Sequence, residues 1–83
     1  MKPIHLHDMV ALMEDIPAQR FPFGGQILLR RGQVGTVVEE LSDGEAFEIE
    51  FSRSDGQAYA MVPIKAEQLL PLYYEPVELA AAS

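Results

Sequence analysis

Hydrophobic and polar residues alternate most regularly in the middle of the chain. Three apolar residues of segment 46–51 alternate with two acidic ones: Phe47, Ile49 and Phe51 with Glu48 and Glu50. Because successive side chains of a β-strand point to opposite faces, this pattern predicts a strand with one buried and one solvated face. Residues 34–41 are rich in valine and threonine and predict a preceding strand. The Asp-Gly turn within residues 42–45 joins the two strands into a β-hairpin.

Three further segments predict strands that are shorter or less regular than those of the hairpin. Residues 8–13 form an apolar run that predicts a strand, with a short helix as the alternative for so brief a run. Residues 58–64 predict another strand, and Pro63 indicates an edge or a strand end because proline has no N–H to donate. Residues 65–70 predict one helical turn, and residues 70–73 predict a short closing strand.

Residues 14–33 are predicted to be the longest irregular segment of the chain. Three glycines and two prolines interrupt it, and these residue types disfavour regular elements. The segment also contains two phenylalanines and the apolar triplet 27–29, so we expect it either to fold over the core or to present an apolar surface. We place flexible ends at residues 1–7 and 75–83, and the folded domain at residues 8–74.

The predicted order is a strand, a long loop, three consecutive strands, a helical turn and a closing strand. The chain of 83 residues has the size of one domain. Five short strands in so small a domain close most economically as a barrel, because closure removes exposed strand edges. We therefore predict a mainly β fold, a small SH3-like five-stranded barrel with a short helical turn before the last strand.

Charge and composition limit the classes of function. Thirteen acidic residues oppose six basic ones, for a net charge of −7. This balance disfavours general binding to nucleic-acid phosphates and permits a basic protein partner. The absence of cysteine excludes disulfides and thiol nucleophiles and fits a reducing cytoplasm. No apolar run approaches the ~20 residues that span a bilayer, so we expect a cytoplasmic protein without a membrane segment.

Five segments along the chain form a recognisable series. They are Leu6–Val10, the Gly-x-x-Gly-Thr-Val-Val sequence at 32–38, the Asp-Gly-Glu turn at 43–45, the alternating strand at 47–51 and the Gln-Leu-x-Pro-Leu sequence at 68–72. In this series the chain resembles the bacterial family known as domain of unknown function 4926. The resemblance implies an SH3-like fold and brings no established active site. It also implies an antitoxin or immunity role, since such genes resemble companions of toxin-like partners.

One segment departs from that family. Residues 21–29 lengthen the connection between the first two predicted strands, which is usually shorter in the family. We therefore expect features peculiar to this protein to lie in the long loop.

Acidic residues supply the first candidate binding surface. Four of them lie in the turn and second strand of the central hairpin: Asp43, Glu45, Glu48 and Glu50. Either Glu39 or Glu40, in the first strand of the hairpin, lies across from Glu48 and Glu50. A solvated outer face is the simpler interpretation, since carboxylates need burial to split their pKa values for acid–base chemistry. If this surface has a function, we expect it to bind a basic protein.

The long loop supplies the second candidate surface. It carries half of the basic residues together with two aromatic ones: Arg20, Phe21, Phe23, Arg30 and Arg31. Such a group can anchor a protein interface, where arginine and aromatic side chains are enriched. It can also stack on bases and bind phosphates. Pairing of the arginines with nearby carboxylates is the plain structural alternative.

No catalytic residue, metal site or cofactor site is predicted. His5 and His7 form a His-x-His pair, but metal sites need three or four ligands and only Asp8 lies near them in sequence. The serines have no histidine relay that would make one of them a nucleophile.

These observations favour a non-catalytic protein-interaction module. The leading hypothesis is an antitoxin or immunity protein that occludes a basic, toxin-like partner. One alternative is a nucleic-acid-binding SH3-like domain that uses the arginine-rich loop. The other is a structural homo-oligomer that uses Phe21, Phe23 and residues 27–29 as its interface.

Overall fold

The computed structural model describes residues 4–80 as a mainly β domain with 49% strand. Seven strands form within this range: β1 (Met9–Leu12), β2 (Ile16–Gln19), β3 (Gln26–Leu29), β4 (Val34–Leu41), β5 (Ala46–Ser52), β6 (Ala58–Lys65) and β7 (Leu69–Pro71). Two single 3₁₀ turns, Ser42–Gly44 and Ala66–Gln68, lie between strands. No helix in the described range is long and apolar enough to cross a membrane.

The five strands expected from the sequence all form, and they make one antiparallel sheet. The order across it is β6-β5-β4-β1-β7. Segment 8–13 is a strand, as predicted, and not a short helix. The helical turn expected before the last strand is confirmed as the 3₁₀ turn Ala66–Gln68. In the central hairpin Val37 lies opposite Ile49, and a bulge at Val38 separates that pair from the next pair, Glu39 and Glu48.

The described residues do not form the predicted closed five-stranded barrel. They make two sheets, and β6 and β7 stand at opposite edges of the larger one without pairing to each other. Both edge strands contain a proline, Pro63 in β6 and Pro71 in β7. Proline cannot donate to a ladder, so it blunts a sheet edge against further pairing. Of the two positions that Pro63 indicated, an edge or a strand end, the structure shows the edge.

The prediction that residues 14–33 form an irregular loop is wrong. β2 and β3 pair with each other as a separate antiparallel hairpin, with Ile16 opposite Leu29 and Ala18 opposite Ile27. All four of these side chains pack on the main core, and Leu29 is fully buried. The hairpin therefore covers apolar surface of the large sheet, and this packing gives stability to strands too short to persist alone.

The core lies between the inner face of the large sheet and the small hairpin. Its largest members include the three alternating apolar residues of β5, namely Phe47, Ile49 and Phe51, and all three are at most 2% exposed. Gly35 of β4 lies under two of them. A Cβ atom at that position would come within 2.6 Å of Ile49 Cγ2 and 2.9 Å of Phe51 Cε1, so the close packing there requires glycine.

The described ends of the domain differ from each other. Part of the predicted flexible leader is attached to the sheet, because the His7 N–H donates to the Val37 carbonyl at 2.8 Å. Residues 1–3 of that leader lie outside the described residues. After β7 the Leu72 N–H donates to the Met9 carbonyl at 3.0 Å, and residues 72–80 then form no strand or helix. Residues 81–83 of the predicted tail lie outside the described range.

Candidate functional site

Three carboxylates share the outer face of the central hairpin. Glu48 and Glu50 occupy alternate positions of β5, opposite to the buried side chains of that strand. The register places Glu39 of β4 directly opposite Glu48, whereas Glu40 lies opposite the inward-facing Phe47. We call Glu39, Glu48 and Glu50 the acidic face.

Within residues 4–80, the acidic face carries charge that no basic side chain neutralises. Within residues 4–80, no lysine or arginine forms an ion pair with Glu39, Glu48 or Glu50. Like charges directly opposite on neighbouring strands lower stability by ~0.2–1 kcal/mol relative to a neutral pair. The arrangement is therefore one that a cationic group from outside would stabilise.

The other two acidic candidates lie at the end of the same hairpin. Asp43 and Glu45 are both exposed and belong to the 3₁₀ turn and the residue that follows it. Asp43 has a positive φ of 55°, a conformation that aspartate tolerates better than most residues. The Glu45 carbonyl accepts the Ala66 N–H at 2.9 Å, which fixes the turn next to the start of the second 3₁₀ turn.

The tip of the β2–β3 hairpin presents the aromatic candidates. Arg20, Phe21 and Phe23 lie in the connection between the two strands, and Phe23 is 83% exposed. The Phe21 N–H donates to the Tyr59 carbonyl of β6 at 2.6 Å. The Arg20 N–H donates to the Gly25 carbonyl at 3.0 Å. The tip is thus held against the edge of the large sheet while its phenylalanine side chains face solvent.

The other two arginines lie at the opposite end of this hairpin. Arg30 and Arg31 follow β3 directly, so the four-residue strand puts about 13 Å between them and Arg20. The structure therefore does not gather the three arginines and two phenylalanines into one patch. Within residues 4–80 no arginine forms an ion pair with a carboxylate, so the local pairing considered as the structural alternative does not form among these residues.

The turn at Arg30 and Arg31 is ordered through its backbone. The Arg30 N–H donates to Oε1 of Gln33 at 2.9 Å, and the Arg31 N–H donates to Oδ1 of Asp15 at 2.8 Å. The Gly32 N–H donates to the Leu12 carbonyl at 2.7 Å. These hydrogen bonds use the main-chain N–H groups of the turn. They do not involve the guanidinium groups of Arg30 and Arg31.

A surface next to this turn was not singled out from the sequence. Met13 and Leu70 are each 50% exposed and line a depression beside Arg31. The signal for Leu70 was present, because two consecutive leucines in a strand cannot both face one core. The actual neighbours of Leu70 follow only from the pairing of β7 with β1.

The described residues contain no group of three or more His, Cys, Asp or Glu side chains placed to hold a metal ion. His5 lies near Asp8, with 3.9 Å between Nδ1 and Oδ2, and His7 sits in a turn with a positive φ of 72°. The two histidines therefore do not lie together on a strand face as the His-x-His pattern would place them.

Comparison with known proteins identifies the family of the chain. Searches of curated proteins and of solved structures gave no significant match. A family model described as "Domain of unknown function (DUF4926)" matches residues 6–71, which span β1 to β7 and both candidate surfaces. The chain therefore belongs to this family, as the series of sequence segments predicted.

Proposed function

We propose that this chain is a non-catalytic protein-interaction module that acts in the cytoplasm by covering a basic site on another protein, as an antitoxin or immunity protein does. The observation that carries the proposal is the pairing of Glu39 with Glu48 across the central hairpin, with Glu50 beside them on the same face. A basic side chain of a partner would relieve the repulsion within this acidic face and gain favourable contacts at once.

The overall charge also favours a basic partner. A net charge of −7 on so small a domain steers cationic partners toward it before contact. The exposed phenylalanines of the hairpin tip supply aromatic anchors of the type that dominate interface energies. We propose that the acidic face orients the partner and that the tip adds apolar contact area.

The SH3-like relationship is part of this proposal. All five strands expected of an SH3-like core are present in one sheet, and a 3₁₀ turn precedes the last of them. Nucleic-acid binding is the alternative, and it would depend on the arginines. Their separation along the β2–β3 hairpin gives them less of a shared binding surface than the acidic face offers.

The experiment tests the acidic face directly. The chain is co-expressed with the product of the adjacent gene, and the affinity of the purified pair is measured by calorimetry at two salt concentrations. We expect Glu48→Lys together with Glu50→Lys to weaken binding at least tenfold, and added salt to weaken the unaltered complex. The matched control is Glu67→Lys, which changes an exposed acidic residue outside the acidic face.

Three results would contradict the proposal. One is a complex whose affinity is insensitive to both charge reversals. The second is a chain that binds only to itself. The third is salt-dependent binding to a nucleic acid that Arg30→Glu with Arg31→Glu abolishes, which would favour the alternative function.

A further inference from the structure

Two adjoining depressions lie at the end of the sheet where β1 finishes. The first has a volume of about 350 Å³ and is lined by Arg30, Arg31, Gly32 and Gln33. The second has a volume of about 410 Å³, and its lining includes Met13 and Leu70 as well as Arg31 and Gly32. Because they share two residues, they form one surface with a cationic half and an apolar half. We call it the arginine groove.

No carboxylate of residues 4–80 forms an ion pair with the cationic half. Its main-chain donors are already bonded, and the nearest acidic partner, Asp15, accepts the N–H of Arg31. No ion pair to either guanidinium forms within residues 4–80. Two adjacent unpaired guanidiniums in a chain of net charge −7 are suited to bind carboxylates, since arginine binds this group with two parallel hydrogen bonds.

The apolar half adds a second requirement. Met13 and Leu70 are each half exposed, and Ala11 and Leu12 complete the apolar wall of the groove. Covering such a surface is favourable because it removes apolar area from water. The matching ligand is therefore a segment that carries carboxylates and aliphatic side chains close together.

Residues 75–80 of this chain have that chemistry. Glu75 and Glu78 are interspersed with Val77 and Leu79, and the two aliphatic side chains are 86% and 88% exposed. The radius of gyration of 14.6 Å exceeds the ~12 Å expected for a compact domain of this length. Residues 75–80 therefore keep their apolar side chains in solvent, and the chain as a whole is more extended than a compact domain.

The direction of β7 favours docking between copies over docking within one copy. Leu69 pairs with Leu12, next to the arginine groove, and Pro71 pairs with Val10 at the far end of β1. The chain thus leaves β7 heading away from its own groove. We propose that residues 75–80 of one copy dock in the arginine groove of a second copy, with the glutamates on Arg30 and Arg31 and the aliphatic residues on Met13 and Leu70.

Reciprocal docking makes a closed dimer. If each copy places its segment in the groove of the other, the two contacts are identical, as in a two-fold symmetric pair. The acidic face is no part of this contact and stays open. The dimer is therefore separate from the proposed function and can fail without affecting it.

Sedimentation equilibrium of the full chain over a concentration series tests the dimer. We expect Arg30→Glu with Arg31→Glu to raise the dissociation constant at least tenfold, and Glu75→Arg with Glu78→Arg to do the same. Combining all four substitutions restores the charge match, so we expect the combined variant to regain most of the affinity. The matched control is Arg53→Glu, an exposed arginine in the turn before β6, which we expect to leave dimerisation unchanged.

A second measurement separates docking between copies from docking within one copy. The chain has no cysteine, so Ser83→Cys carries a single spin label. Labelled chain is mixed with unlabelled, ¹⁵N-enriched chain. We expect the amide signals of Gly32 and Leu70 in the enriched chain to broaden. Thermal unfolding is measured for each charge variant. A melting transition like that of the unaltered chain shows that the variant is folded.

The proposal is overturned by any of three results. These are a chain that stays monomeric at millimolar concentration, a dimer that tolerates both charge reversals, and broadening that appears only when label and enrichment are on the same chain. Failure of the combined variant to dimerise better than either double variant also counts against direct pairing of these charges.

Discussion

The two hairpins of this domain contribute to the same core through different means. The β4–β5 hairpin has strands of eight and seven residues, and both strands have a further neighbour in the large sheet. The β2–β3 hairpin has strands of four residues that pair only with each other. The first is held by ladders on both sides of each strand, whereas the second depends on one buried face. The difference indicates that the short hairpin is tied to the domain mainly by hydrophobic packing.

The outer faces of the hairpins differ as well. The β4–β5 hairpin places carboxylates opposite each other on its outer face, whereas the β2–β3 hairpin exposes Leu28 and the phenylalanines of its tip. One surface is suited to a cationic partner and the other to an apolar one. Three substitutions test these contrasts.

The largest effect is expected in the short hairpin. Leu29 is fully buried and its neighbour Leu28 is 54% exposed, so Leu29→Ala should lower the free energy of unfolding by about 2–5 kcal/mol. Since small domains are stable by only about 5–15 kcal/mol, this loss is large. Leu28→Ala should change it by less than about 0.5 kcal/mol. Urea unfolding measures both variants, and equal losses would show that the hairpin does not depend on its buried face.

The next effect concerns the close packing around Gly35 in the β4–β5 hairpin. Gly35→Ala would bring a methyl group within 3.0 Å of the Glu50 carbonyl oxygen and closer still to Ile49. We expect a loss of about 1–3 kcal/mol, as overpacked cores show. The matched control is Gly25→Ala at the tip of the short hairpin, where a methyl group would meet no atom within 4 Å. A thermal scan in which both variants melt alike would contradict the packing at Gly35.

The smallest effect concerns the acidic face. Glu39→Gln removes the like charge opposite Glu48 and should raise the free energy of unfolding by about 0.2–1 kcal/mol at low salt. The gain should fade near 1 M salt, where the screening length is only about 3 Å. Glu67→Gln removes the same charge from an exposed site elsewhere. An equal gain in that control would assign the effect to net charge and not to the pair.

Regular alternation of apolar and polar residues made the β4–β5 hairpin predictable. Phe47, Ile49 and Phe51 face the core in β5 as their spacing required, because a strand leaves no freedom in which side chains share a face. The family was also predicted from local segments, and its match over residues 6–71 confirms that prediction. Glu48 and Glu50 were placed on one outer face by the same alternation.

The short hairpin was missed because its signals were brief and interrupted. Ile16 and Ala18 alternate, and so do Ile27 and Leu29, but each pair spans only three residues and Pro17 interrupts the first. An isolated hairpin of this size is marginal in water, so local preference alone does not establish it. Its formation depends on a sheet that exists only after the remote strands have paired.

The sequence by itself determined the strands of the large sheet and the family, because these depend on side-chain periodicity and local segments, and Pro63 narrowed β6 to an edge or a strand end. Only the tertiary structure decided that the sheet stays open and that the short hairpin covers its apolar face. It also decided that Arg20 lies apart from Arg30 and Arg31, and that Arg31 stands beside Leu70. These outcomes depend on which distant segments compete to bury the same apolar surface, and that competition is settled by packing across the whole domain.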